Sequence, residues 1–324
     1  MLIISMFISA MMQGVIYAPM AMGVFIAFRV LNTPDLTIDG SLVFGMSVCA
    51  VVTIAGFPIV GIFAGMGAGA IAGAITGILQ TKMNINPILS GILTMTALYT
   101  VNYAVLGGQS NRYLQAESGT SITIFKQFSN MIQAIFGEGA LSDANTLVLT
   151  LTSVIVIIVM VLLAVFFKTR TGMAIRATGD NEEMVRSSSI NADHSRILGI
   201  VIANGLVGLS GSLLCQQQKY ADLNCGTGML VVGLASVIIG QVLFGKKGTT
   251  IGLVSAICGS LVYRMVIQCA YKVDMPSYFV KLLSTVIVVI ALLTPMLKAK
   301  LKEEKNRKQR MKIYARNSDV VRKG

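Results

Sequence analysis

Charge is what this chain has least of. Only 12% of its 324 residues are Asp, Glu, Lys or Arg, against 54% hydrophobic, whereas a typical soluble domain carries about 25% charge. So little polar material cannot cover the surface of a water-soluble fold. Histidine occurs once, as His194, and the five cysteines show no metal-ligand spacing, so no metal site is expected. No HExxH, GxSxG or Cys/His arrangement occurs, which leaves hydrolytic and metal-assisted catalysis without its usual groups. The chain is not read as an enzyme. GxxxxGK[ST] is missing too, so ATP is not bound here through a P-loop. Cys215 and Cys225 flank one expected outer loop, but five is an odd number and no disulfide framework is visible.

Long uncharged runs are abundant. Several reach the ~18–20 residues that cross a ~30 Å hydrocarbon core as a helix. Backbone groups in lipid must be satisfied within the segment, so these runs are expected to be helices. A membrane barrel would instead show short segments of alternating apolar and polar residues. The expectation is an all-α, polytopic integral membrane protein with about nine transmembrane helices (eight to ten). They cover roughly 4–28, 41–57, 58–79, 86–106, 145–167, 196–214, 227–244, 249–268 and 277–297. The short second run is compatible with a half-span or a partly unwound one. The first has no basic n-region and meets its first charge at Arg29, which marks a retained span rather than a cleaved signal.

Charge placement predicts orientation. Eleven of the 26 Lys and Arg residues lie from Lys298 onward, the juxtamembrane position of cytosolic charge facing anionic lipid. With that tail inside, the inner loops hold Arg29, Lys82, Lys168, Arg170, Arg176, Arg186, Arg196, Lys246 and Lys247, and the outer ones Arg112, Lys126, Lys219 and Lys272. The N-terminus is therefore expected outside and the C-terminus in the cytosol. Residues 1–297 would form the membrane domain, with an inner loop at 168–196 and an outer one at 107–144, and 298–324 a basic tail. The net charge of +12, placed this way, points to lipid and not to nucleic acid.

Gly61, Gly65, Gly69, Gly73 and Gly77 recur every fourth residue and form a stripe along which two helix backbones can approach closely. Packing inside one bundle is the simpler reading, a subunit interface the other. In the outer loop, Ile124, Phe125, Phe128, Met131, Ile132, Ile135 and Phe136 recur at helical spacing. An amphipathic helix along the outer surface is expected, either a cap on the bundle or a docking surface.

Ion-coupled carriers need ionisable groups at membrane depth. No Asp, Glu or His falls well inside an expected span, and Arg264 is the one charge that does. It is open to snorkelling, to a structural pairing, or to contact with a solute carboxylate. In "TPDLTIDGS", Pro34 favours an extended residue before it. Asp39 is expected to N-cap the second span.

The exception to this poverty of charge is "TGDNEEMVRSSSINADHSR" at 178–196. Gly179 is expected to end one element. Asp180 is expected to cap a short helix, with Glu183 at capping-box spacing and Asn181, Glu182 and Glu183 in the dipole-favoured first turn. Met184, Val185 and Ile190 supply apolar anchors, and Asn191 suits a left-handed C-terminal position. A helix of two or three turns is marginal alone, so it is expected to pack against something.

"TRTGMAIRATGDNEEMVRSSSINADHSRILG" resembles the ATPase-coupling loop of ABC importer permeases of the branched-chain amino acid/ribose type. The closer likeness is to a tryptophan/tyrosine-type subgroup. "FRVLNTPDLTIDGSLVFG", "VVGLASVIIGQVLFG" and "YRMVIQ" followed by "PSYFVKLLSTVIVV" carry the resemblance over most of the chain to residue 297.

The resemblance implies a bacterial plasma-membrane subunit that works as a pair of permeases, here expected as a homodimer. Its partners would be a cytosolic ATPase that holds ATP and Mg, and an external solute-binding lipoprotein; this chain would bind no cofactor itself. Residues 179–191 would be the coupling helix, with Asp180, Asn181, Glu182 and Arg186 as polar contacts and Met184 and Val185 as buried anchors. Asp35, Asp39 and Arg264 become candidates for the translocation path, the two aspartates facing Arg29 or a solute amine. Gln241 stands where the pattern often has Glu. An amino acid, of the aromatic kind, is the implied solute. The readings it competes with are an ion-coupled secondary carrier and an assembly protein whose loop recruits a cytosolic partner.

Overall fold

The computed structural model describes residues 2–114, 123–136, 144–188, 190–245 and 248–271, with 282, 285–290, 293 and 307. In order they form α1 (Leu2–Phe25) with a π-turn (Ile26–Val30), α2 (Ile38–Ile54), α3 (Pro58–Thr81) and α4 (Pro87–Val105). The strand β1 (Asn111–Tyr113), α5 (Ile124–Phe136), α6 (Ala144–Phe166), α7 (Arg170–Asp180) and α8 (Glu182–Ser187) follow. The last are α9 (Ala192–Gln218), β2 (Tyr220–Asp222), a 3-10 turn (Leu223–Gly226), α10 (Met229–Phe244) and α11 (Gly248–Tyr271). Among the described residues seven helices are long and apolar enough to cross a membrane, and α2 is a shorter apolar helix. Eight of the nine expected spans therefore coincide with helices. Most of the ninth, and nearly all of the basic tail, lie outside the described residues.

Burial separates the helices by role. α1 is apolar on every face, its most apolar stretch is 83% buried, and it packs against α6, α9, α10 and α11. A helix hydrophobic all round belongs inside. Among the described helices α6 has the highest hydropathy, and only 17% of its most apolar stretch is buried; Ile157, Ile158, Val161, Leu162 and Val165 point outward, the surface a lipid-facing helix presents.

The glycine stripe of α3 lies against α2 and α9. A Cβ at Gly65 would meet the Gly45 carbonyl, one at Gly69 the Asn204 carbonyl, and one at Gly73 would sit 2.7 Å from the Ile200 carbonyl. α9 answers with Gly208, which faces Gly65 and Gly69. These contacts lie within one chain, so the stripe sets interhelical distance in this bundle.

α2 does not begin at an end of the bundle. Ser41 bonds to Asn204, twelve residues after the start of α9 at Ala192, or ~18 Å along it at 1.5 Å per residue. Cys49 then reaches the Ser212 carbonyl and Thr53 meets Gln216, so α2 runs parallel to the second half of α9. The chain reaches this depth through residues 31–37. α10 also begins inside the bundle, beside Asp39, after a segment that pairs β2 with β1 antiparallel, Arg112 opposite Ala221. Two helices thus start within the bundle from irregular backbone, which is tolerated at membrane depth only where protein or a cavity surrounds it.

α5 forms where the apolar spacing predicted it. Phe125 is buried, the Ile124 N–H donates to Gln216 Oε1 at 3.1 Å, and the helix packs on α6 and α9. All five cysteines are free.

Candidate functional site

Polar residues gather at two places, one inside the bundle and one at the end that carries α7 and α8. The inner group surrounds the start of α2. Asn204 Nδ2 donates to Asp35 Oδ2 at 2.6 Å, and its Oδ1 accepts from Ser41. The other Asp35 oxygen accepts from the Thr37 N–H at 2.9 Å, and the Thr37 and Thr76 hydroxyls bond to each other. All five side chains are fully buried. Buried polar groups are tolerable when satisfied in this way, and the network ties residues 35–41 to α3 and α9.

Asp39 is not the N-cap of α2; that position is Thr37, which makes no side-chain capping bond. Asp39 turns instead to the start of α10, accepting from the Gly228 N–H at 2.9 Å and the Leu230 N–H at 2.7 Å. The first N–H groups of a helix have no partner within it, and a carboxyl there also meets the positive end of the helix dipole. Asp39 is thus a cap donated to a helix some 190 residues distant. It borders a cavity of about 290 Å³ lined also by Tyr99, Asn102, Leu223 and Thr227. Neither aspartate faces Arg29, whose Nη2 donates to Gln241 Oε1 at 2.6 Å. Arg264 lies over the ring of Tyr17, its guanidinium carbon 3.7 Å from the centroid.

The second group corrects several expectations for the charged loop. Residues 170–180 are helical, so the element expected to end at Gly179 is a helix inside the 168–196 loop, and it runs one residue further. Asp180 closes α7, and the cap of α8 is Asn181, whose side chain accepts from the Met184 N–H at 3.1 Å. A one-residue break therefore separates the helices, and α8 has 6 residues rather than two or three turns. Asn191 is not left-handed: with φ −75° it caps α9 by accepting from the His194 N–H. Gly179 earns its place by closeness. It packs on the carbonyl of Val30, where a Cβ would collide with backbone, so α7 is seated against the end of the π-turn.

α8 is held by charge on one side and by one apolar residue on the other. Arg186 bonds Glu182 at 2.9 Å and Asp193 at 2.6 Å, and Arg196 bonds the second Glu182 oxygen. Burial opposes ionisation of Glu182, but the hydrogen bond from Arg186 and the charge of Arg196 outweigh it and hold its carboxyl below the usual range. Val185 is 1% exposed and anchors α8 to its own chain, while Met184 is 56% exposed. Of the two expected anchors only Met184 is free to meet another surface; Glu183 is exposed beside it. A polar cavity of about 280 Å³ next to Gly179 is lined by Arg29, Arg176, Asp180 and Gln241, so the loop, the end of α1 and the end of α10 share one space.

Comparison with known proteins identifies the family. The family described as branched-chain amino acid transport system / permease component matches residues 6–292. A tyrosine transport system permease protein of Clostridioides difficile is 36% identical over 297 residues, which cover 91% of this chain and 93% of that one. An uncharacterised protein of Rickettsia prowazekii is 30% identical over 237 residues, 73% of this chain and 77% of the relative. The ribose import permease protein of Escherichia coli is 28% identical over 126 residues, 39% of this chain and 38% of that one. No solved structure matches the chain.

Proposed function

The chain belongs to the family of branched-chain amino acid transport permease components, multi-pass proteins of the bacterial plasma membrane, and on that premise we propose that it is the membrane-spanning subunit of an ATP-driven ABC importer. Two copies would enclose the path, two cytosolic ATPases would hold ATP and Mg, and an external binding protein would deliver the solute. The loop carrying α7 and α8 faces the cytosol in this reading, with the N-terminus outside. The near-full-length likeness to a tyrosine transport permease favours an amino acid, of the aromatic class, as solute.

The observation that carries the proposal is the mounting of α8. Its Glu182 and Arg186 pair with each other and with Arg196 and Asp193 of α9, which stiffens it, while Met184 and Glu183 stay exposed. A stiff, exposed helix joined through Gly179 to the end of α1 suits the transmission of an ATPase's closing motion to the spans. An ion-coupled carrier would need a free carboxyl in the path; Asp35 and Asp39 are both engaged. Asp39, at the rim of its cavity, and Arg264 remain the residues proposed to border the path.

The test is capture of the ATPase encoded beside this gene by the permease in lipid discs. Wild type is expected to bind it, and a Glu183→Ala, Met184→Ala double variant to bind at least ~10-fold less, the loss of one well-packed anchor with its neighbour. Equal capture by both, or none by wild type, would sink the coupling role.

A further inference from the structure

Two guanidiniums line one small cavity with most of their donors unused. The cavity of about 280 Å³ beside Gly179 has Arg29 and Arg176 in its wall, a volume near the lower end for ligand sites. Arg29 gives one nitrogen to Gln241. Its remaining N–H groups, and all those of the Arg176 side chain, have no hydrogen bond or ion pair among the described residues. Asp180, the one acidic side chain in the wall, stands one helical turn after Arg176 on α7. That is the spacing of a helical ion pair, yet the two do not form one. All three side chains are exposed. A Cβ at Gly245 or Gly248, which also line the cavity, would meet open space.

The cavity lies where spans end. Val30 and Gly248 in its wall are the last and first residues of two candidate spans, and Gly245 follows a third that ends at Phe244. Leu243 and Phe244, directly before Gly245, are exposed, and so is Ile251, directly before the lining Gly252. Apolar side chains exposed on a span face hydrocarbon, whereas a cationic pocket at the end of a span meets headgroups. A soluble anion would have no use for that apolar border.

We propose that this cavity holds the headgroup of a membrane phospholipid that carries both a phosphate and a primary ammonium. The phosphate would accept from Arg29 and Arg176, whose planar forks suit its oxygens. The ammonium would donate to Asp180, which accounts for a carboxylate left free beside a free guanidinium. An anionic headgroup without an ammonium would meet Asp180 as a like charge, and a quaternary ammonium has no N–H to donate. The acyl chains would lie on Leu243, Phe244 and Ile251. In the orientation proposed above the lipid belongs to the inner leaflet, and its headgroup ties α7 to the π-turn through Arg176 and Arg29. Nothing in this site depends on which solute the chain passes.

The test is thermal unfolding of the full chain, stripped of lipid in detergent and titrated with short-chain phosphatidylethanolamine, phosphatidylcholine, phosphatidylglycerol or inorganic phosphate. Wild type is compared with Arg176→Gln, Arg176→Lys and Asp180→Asn. For wild type, phosphatidylethanolamine is expected to raise the midpoint at the lowest half-maximal concentration. The other two lipids should need roughly 5-fold more, the effect of one charge at the bilayer surface. Inorganic phosphate at equal concentration should neither raise the midpoint nor displace the lipid. Arg176→Gln should raise the half-maximal concentration at least ~10-fold, the loss of a charge-assisted hydrogen bond, with Arg176→Lys between. Asp180→Asn should cancel the advantage of phosphatidylethanolamine over phosphatidylglycerol, which a loss of packing alone would not do. That arm decides the matter if Arg176→Gln does not fold. Equal response to the three lipids (none included), preference for phosphatidylglycerol, or an unchanged preference in Asp180→Asn overturns the headgroup site. So does an unchanged titration of a folded Arg176→Gln. A midpoint raised by inorganic phosphate, with the lipid displaced, makes this a soluble-anion site and overturns the lipid.

Discussion

Asn204 and Asp35 meet at 2.6 Å across 169 residues of sequence, and this contact fastens the irregular segment before α2 to the middle of α9. Neither group has a ready substitute. Removing the amide by Asn204→Ala would leave one carboxyl oxygen and the Ser41 hydroxyl without partners in a fully buried place. An unsatisfied buried polar group costs about 1–3 kcal/mol, and more if charged. Asn204→Ala is therefore expected to lower the unfolding midpoint in detergent clearly. Asp35→Asn, which can still accept from the Thr37 N–H, should cost less. Equal stability of all three proteins would remove the network from the account.

Asp39 separates a structural carboxyl from a solute contact. Asp39→Ala frees two N–H groups at the start of α10, and a lost cap costs about 0.5–2 kcal/mol. Asp39→Asn keeps one acceptor oxygen and should retain about half of that stabilisation, with uptake near wild type. Lost uptake with unchanged melting in Asp39→Asn would instead make the carboxyl a contact for the solute amine.

How far these relationships were legible depends on how local they are. Span positions follow from run length, a property of contiguous sequence, and eight of nine expected spans became helices. The spacing of Gly61 to Gly77 announced a close-packed face. What it could not announce was the partner, since Gly208 and the carbonyls of Asn204 and Ile200 belong to α9. Capping rules look three residues ahead and so assigned Asp39 to its own helix, whereas its donors are 189 and 191 residues away. Asn204 was passed over, although a lone amide in "ILGIVIANGLVG" was signal enough that something polar waits inside the bundle. The element ending at Gly179 was expected, but its helical type was not read, because Gly172 and Gly179 break its pattern; at both, backbones touch.

The ion network of α8 makes its order depend on pH in a definite direction. The folded-state Glu182 carboxyl titrates below its unfolded value of 4.5, so the unfolded loop binds the proton more readily. Its contribution is then fully present above about pH 4.5 and is lost as pH falls through the depressed value. Protease resistance of residues 181–190 is expected to hold from neutral pH to about 5 and to decline below it. Glu182→Gln should lower resistance at pH 7 and flatten the dependence. A wild type with the same acid profile as Glu182→Gln would show that the pairs on Arg186 and Arg196 contribute nothing there.

Gly179 tests whether α8 moves the spans or only greets a partner. The proposed path of force runs from α8 through Asn181 to α7, and from Gly179 to the carbonyl of Val30 at the end of the π-turn. π-turns are rare and are often found at functional sites. Here the turn also carries Arg29, which holds Gln241 on α10. A methyl group at 179 would meet backbone, which cannot rotate aside, so Gly179→Ala must move α7 away from α1. α8 itself is fixed by Asn181, Val185 and its ion pairs and should survive. The expected result is ATPase capture and hydrolysis near wild type with solute uptake down at least ~10-fold, since small displacements of positioned groups are costly. Uptake and hydrolysis that fall in equal measure would place the transmission of force elsewhere, while full uptake would show that the Gly179–Val30 contact is packing alone.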